Sequence, residues 1–300
     1  MAERSRAAPR PAIGATLVGG GAILLWATLA ALTTSARGVP TFLLAALAFS
    51  IGFSLAAAKW AALGESPFER LRLPARVWAV GILGLGGYHV LYFLALRLAP
   101  PVEANLINYL WPLLIVLFSA LLPGERLRWF HVAGGAAGLV GAAVLIASGG
   151  IAVEGHAALG YVAALGCALT WSAYSVLSRR FASVPSDAVG GFCGATAIIC
   201  WAAHAAFEPA VWPSGAEWYA VLALGCGPVG AAFYLWDWGV KQGDIRALGT
   251  AAYATPLLST LLLIVIGVAR PTSFLALATL LIVGGAALGS GDLWRGRAGG

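Results

Sequence analysis

The sequence predicts an all-α integral membrane fold of ten transmembrane helices, arranged as two inverted five-helix repeats around a central cavity. Three observations carry that expectation: long apolar stretches, a one-sided distribution of basic residues, and an internal repeat. Of 300 residues, 60% are hydrophobic and 10% charged. A soluble domain carries about a quarter charged residues, so this composition cannot clothe a water-facing surface.

Apolar stretches of about 18–22 residues, each sufficient for a bilayer core of about 30 Å, fall near 13–34, 40–60, 76–97, 102–122, 130–148, 158–178, 188–207, 217–239, 247–267 and 272–291. The linkers are too short for a second domain. One transporter domain over 1–300 is therefore expected, with repeat 1 over 13–148, repeat 2 over 158–291 and residues 1–10 as a basic cytoplasmic tail. A basic start followed by an apolar run also fits a signal peptide, but the first helix has a partner in the second repeat and its removal would break a matched pair.

The net charge of +6 reflects position rather than a nucleic-acid partner. With the N-terminus cytoplasmic, all of the 18 Lys and Arg except Arg37, Arg97 and Arg270 fall in cytoplasmic segments. That bias is the positive-inside signature, and it places both termini in the cytoplasm. The four cysteines, Cys167, Cys193, Cys200 and Cys226, lie in apolar stretches without a C-x-x-C pair. They read as small buried residues, not as a disulfide or metal set.

Gly21, Leu24, Trp26, Leu32, Val39 and Pro40 recur as Gly166, Leu169, Trp171, Leu177, Val184 and Pro185. Tyr109, Pro112, Leu113 and Leu114 recur as Tyr253, Pro256, Leu257 and Leu258. Five helices per repeat is an odd number, so the second half enters from the opposite side, a plan common among secondary transporters. The glycine run Gly134, Gly135, Gly138 and Gly141 reads as helix packing.

The fourth stretch holds the densest polar signal: Asn105, Asn108, Tyr109, Trp111 and Pro112 fall within one sector of about 160° at 100° per residue. Unpaired polar groups are costly in lipid, so this face should look inward. Pro112 removes a backbone donor and should weaken the helix, and Pro256 does the same beside Tyr253; both are expected hinges. The third stretch puts Tyr88 and Tyr92 one turn apart. The sixth groups Trp171 with Tyr174, the first offers Trp26, and the eighth offers Tyr234, Trp236 and Trp238. Trp129, Trp212, Trp218 and Trp294 suit the membrane interface.

The expected substrate-binding residues are Trp26, Tyr88, Tyr92, Asn108, Tyr109, Trp111, Trp171, Tyr174 and Tyr253. Among ionisable groups at membrane depth, Asp237 can pair with Lys241 and Glu103 lies near Arg97, so both read as structural. His204 has no evident partner, and His89 beside Tyr88 is the proton-coupling candidate. No Lys or Arg lies deep in a helix, which favours a neutral, zwitterionic or aromatic substrate over an anion. No catalytic residue, metal site or cofactor is expected: there is no H-E-x-x-H, no aspartate-rich diphosphate motif and no phosphate-binding glycine loop. An intramembrane enzyme and a channel are the readings from other classes.

The Asn108-Tyr109-Leu110-Trp111-Pro112 segment, with Trp171-Ser172-Ala173-Tyr174 and Tyr253-Ala254-Thr255-Pro256, resembles the drug/metabolite transporter superfamily. Two EamA-type halves cover nearly the whole chain, and within that superfamily it looks like the YddG-type aromatic amino acid exporters. The resemblance implies export of aromatic amino acids and related neutral or zwitterionic metabolites across a bacterial inner membrane by a functional monomer. A carrier for other amino acids or drug-like compounds is the alternative. The family pattern implies a carboxylate after the tyrosine of the third helix, where this chain has His89.

Reporter fusions at residue 300 and in the 150–157 loop are expected to read opposite sides of the membrane, with residue 300 cytoplasmic. The same side for both would refute the topology.

Overall fold

A computed structural model describes residues 12–123, 127–147, 157–267, 270–271, 273–289 and 291. The basic tail, Arg126, Trp294, Arg295, Arg297 and most of the 150–157 loop lie outside the described residues. Among the described residues the regular elements are all helical. Seven helices are long and apolar enough to cross a membrane: α1 (Ile13–Ser35), α2 (Thr41–Ala62), α3 (Ala75–Leu98), α6 (Ala158–Arg180), α7 (Ala188–Phe207), α8 (Glu217–Gln242) and α9 (Ile245–Val265). Three shorter apolar helices complete the series: α4 (Glu103–Ser119), α5 (Trp129–Ile146) and α10 (Ser273–Gly289). Each falls on a stretch expected from the sequence. Large apolar side chains such as Leu17, Leu159, Ile198 and Leu280 point outward. Such a surface suits lipid and would be untenable in water.

Several helices are interrupted, and local sequence explains where. In α4, Pro112 cannot donate to the carbonyl one turn back. The helix breaks at Tyr109 and Leu110, leaving the pieces Pro101–Asn108 and Trp111–Ser119. In α9 the break falls at Ala252 and Tyr253, ahead of Pro256, between Ile245–Ala251 and Ala254–Val265. The start of α9 is fixed by Asp244, whose carboxylate accepts from the N–H groups of Arg246 and Ala247. α3 and α8 each contain a widened π turn, Leu83–Gly87 and Gly227–Ala231. Glycine and proline concentrate there. Gly84 lets the Tyr174 ring approach so closely that a Cβ would sit 2.3 Å from it.

Helices of the two halves pack in matched ways. α1 lies on α8, and α6 lies on α3. α2 runs antiparallel to α7: Lys59 pairs with Asp187 at 2.7 Å at one end, while at the other Glu208 accepts from the N–H groups of Phe42 and Leu43. α5 runs antiparallel to α10, with Gly134 against Gly289 and Gly141 against Ile282. The glycine run of α5 therefore does pack helices: Gly134 and Gly141 face α10, while Gly135 faces Leu113 of α4 and Gly138 the Tyr253 ring of α9.

Two expectations need correction. His204 is partnered: its Nδ1 lies 3.0 Å from Glu208, one turn on, so the pair caps the N-terminus of α2. Cys226 is exposed on the outer face of α8, whereas Cys167, Cys193 and Cys200 are buried. A small residue can occupy a close approach or a lipid-facing groove, and composition does not distinguish them.

A Cβ on Gly134 would stand 2.5 Å from the Gly289 nitrogen. Gly134→Ala is therefore expected to destabilise by about 1–3 kcal/mol, read as a lower thermal midpoint in detergent. An unchanged midpoint would disprove the close α5–α10 contact.

Candidate substrate site

The centre of the bundle holds five aromatic rings from four helices. Trp26 of α1 meets Trp111 of α4 at 6.2 Å, Trp171 of α6 at 5.7 Å, and Phe233 and Trp236 of α8 at 6.1 and 5.1 Å. Trp111 in turn meets Trp236 at 5.8 Å. Most of these contacts are edge-to-face or tilted, as ring quadrupoles prefer. The repeat-matched pair Trp26 and Trp171 touch one another, so the cluster sits where the halves meet.

Hydrogen bonds fix the rings. The Trp26 indole donates to the Pro228 carbonyl at 3.0 Å, an acceptor within the π turn of α8. The Trp236 indole donates to Ser175 Oγ at 3.0 Å. Ser172 Oγ has its single proton between the Ala168 carbonyl of its own helix at 2.6 Å and the Trp111 carbonyl at 2.9 Å, which brings α6 against the second piece of α4.

Beside the rings lies a polar group from α3 and α4. Tyr88 packs 5.7 Å from Trp171 and stacks on Tyr92 at 5.9 Å. Asn108 Nδ2 donates to Tyr88 Oη at 3.1 Å, and Tyr92 Oη donates to Asn105 Oδ1 at 3.0 Å. Asn105 spends its own amide N–H on the Pro101 carbonyl at 2.8 Å. Tyr88 and Tyr92 are half-buried and Asn108 is buried.

On another side of the rings, charged groups at the ends of α6 and α8 are paired. Asp237 and Lys241 form a buried ion pair at 2.6 Å, as the i,i+4 spacing suggested. Ser186 donates to Asp237, and Lys241 donates to the Val184 carbonyl. Arg179 donates to the carbonyls of Gly243 and Val240 at 2.6 and 3.1 Å, where α8 ends. Lys241 and Arg246 are both buried at helix ends, with Asp237 and Asp244 as their respective partners.

Six of the nine expected site residues thus converge: Trp26, Tyr88, Tyr92, Asn108, Trp111 and Trp171. Tyr174 touches Trp171 at 5.3 Å but points toward Asp237 and Lys241. Tyr253 is wholly buried among α5, α9 and α10, where its hydroxyl accepts from the Leu113 N–H at 3.2 Å. It replaces a helical acceptor lost at the α4 break, and Tyr109 packs against the same cluster. Pro112 and Pro256 stand just past their helix breaks. His89 bonds the Leu85 carbonyl of its own helix at 2.7 Å and lies among the rings of Phe49, Phe93 and Phe233. Phe233 and Trp236 belong to the cluster; the sequence singled out Trp236 on the eighth stretch without placing it in the binding set, and did not single out Phe233. Their signal was the repeat: Phe233 matches His89, and Trp236 matches Tyr92.

Known proteins agree with this architecture. The model of the EamA-like transporter family matches twice, over residues 13–147 and 158–290. The aromatic amino acid exporter YddG of Ancylobacter novellus is 58% identical over 276 residues, covering 91% of this chain and 96% of that protein. The proteins of the same name from Salmonella typhimurium and Escherichia coli K12 are each 27% identical, over 87% and 91% of this chain and 90% and 95% of theirs. A solved crystal structure of 57% identity superposes with a TM-score of 0.88, covering 92% of this chain and 97% of that one. By its two matched halves, its helices and its relatives, this chain is a multi-pass membrane protein that belongs to the EamA-like transporter family.

Proposed function

We propose that the protein is an alternating-access carrier that exports aromatic amino acids, with related small neutral or zwitterionic metabolites, across a bacterial inner membrane. The observation that carries the reading is the join of the five-ring cluster to the Tyr88, Tyr92 and Asn108 polar group at the meeting of the halves. Rings can stack on an aromatic side chain for about 0.5–1.5 kcal/mol per pair, while the amide and hydroxyls suit an amino acid head group. The 58% identical relative is itself named an aromatic amino acid exporter.

Ten transmembrane helices in two inverted five-helix repeats form the frame, with both termini cytoplasmic. Supporting the inversion, α2 and α7, and α5 and α10, are counterparts in the repeat and run antiparallel to each other. The matched π turns and the matched breaks before Pro112 and Pro256 give each half the same soft points. Bending there would let the halves rock about the ring cluster and expose it to either side in turn. One chain supplies both halves, so a monomer suffices.

The test is counterflow of labelled phenylalanine and of a labelled aliphatic amino acid in proteoliposomes, with and without a pH gradient. Trp111→Phe is the informative variant. Trp111 is buried against three other tryptophans, and truncation to alanine would cost about 3–5 kcal/mol of stability. Trp111→Phe is expected to stay folded and to lose affinity for aromatic substrates several-fold more than for aliphatic ones. Equal losses with a collapsed thermal midpoint would assign Trp111 to packing. Absence of phenylalanine counterflow by the wild-type protein would overturn the function.

A further inference from the structure

Asn108 is 5% exposed, and its Oδ1 is buried without a hydrogen-bond donor among the described residues. A buried polar atom left unpaired is uncommon in folded proteins and more costly still inside a bilayer. The neighbouring polar groups make three pairings, and none of them is to this oxygen. Asn108 Nδ2 is committed to Tyr88 Oη, Tyr92 Oη to Asn105 Oδ1, and Asn105 Nδ2 to the Pro101 carbonyl. Left over are the Asn108 Oδ1 acceptor, the Tyr88 hydroxyl proton and the second N–H of each amide, with Asn108 Nδ2 and Tyr88 Oη 3.1 Å apart. The Tyr88 ring lies 5.7 Å from the Trp171 ring.

Resting on the carrier reading above, we propose that Asn108 Oδ1 is the acceptor for the substrate's α-ammonium and is what selects aromatic compounds carrying a free amine over those without one. The Tyr88 hydroxyl is free to donate to the adjoining carboxylate, and the substrate ring lies toward the tryptophan cluster. A neutral amide suits the task. It gives a cation an oxygen to bond without creating an ion pair that would have to be broken at release. An acceptor without its donor also favours substrates chemically: a ligand lacking the amine leaves the oxygen unpaired and forfeits binding.

The test is competition against labelled phenylalanine in proteoliposomes by phenethylamine, which keeps the amine, and by 3-phenylpropionate, which lacks it. With the wild-type protein, phenethylamine is expected to compete about tenfold or more better. Asn108→Leu should abolish that difference, and its thermal midpoint reports the balance between removing the unpaired oxygen and losing the bond to Tyr88. Asn108→Asp should keep the preference for the amine. Equal competition by the two compounds in the wild-type protein overturns the assignment, as does a preference that survives in Asn108→Leu. Should the leucine variant fail to fold, the wild-type comparison and Asn108→Asp decide the matter. Phenylalanine transport without an amine preference overturns this inference alone; no phenylalanine transport at all overturns the carrier reading and this inference with it.

Discussion

Inside a bilayer no water is available to pair a peptide group, so a helix that breaks there must be repaired by side chains. The whole site depends on one such repair. Pro112 interrupts α4 next to Asn108 and Trp111, and the loosened backbone is caught from two sides. Tyr253 accepts from the Leu113 N–H, and the Ser172 hydroxyl, shared with the Ala168 carbonyl of its own helix, reaches the Trp111 carbonyl. These two bonds tie α4 to α9 and to α6, and so hold Asn108 and Trp111 at the centre. Without them the break would fray instead of presenting its side chains in one direction.

The repair also explains why the second tyrosine of the repeat behaves unlike a binding residue. Tyr109 and Tyr253 occupy the same position in their halves, yet the hydroxyl of Tyr253 is spent on the backbone of the opposite half. A matched sequence position fixes the place of a residue along its helix. The partner it meets depends on what the other half offers at that depth, and the break before Pro112 leaves the Leu113 N–H without its helical acceptor.

Much of the fold was legible because its signals are one-dimensional. Hydropathy marks where a chain can cross a bilayer, and the recurring tryptophans and prolines mark the repeat. Trp111 could be placed inward from helical periodicity, and Trp26 and Trp171 from their depth along their helices. Contacts between helices were harder to read, since a wheel drawn on one helix gives a face and no neighbour. The π turn at Leu83–Gly87 adds to the difficulty: it alters the rotation per residue just ahead of Tyr88 and His89. Phe233 and Trp236 follow the matching turn in α8, and their membership of the cluster depended on that local widening. His204 was different, for its partner Glu208 stood one turn on and was available to an i,i+4 reading.

The halves share a backbone plan but not a chemistry. Tyr88, Tyr92, Asn105 and Asn108 have Ala232, Trp236, Gly249 and Ala252 as their counterparts 144 positions on. Were the side chains identical, exchanging the roles of the halves would yield two end states of equal energy, each occupied half of the time. A polar quartet on one half alone lifts that degeneracy. On the alternating-access reading proposed above, the apo protein would have a resting preference written into side chains, its size a sum of ordinary solvation and hydrogen-bond differences. Polar substitutions at Ala232, Gly249 or Ala252 would shift that balance while leaving the helices where they are. Evolution can thus retune which side of the membrane such a protein faces at rest without redesigning how it moves.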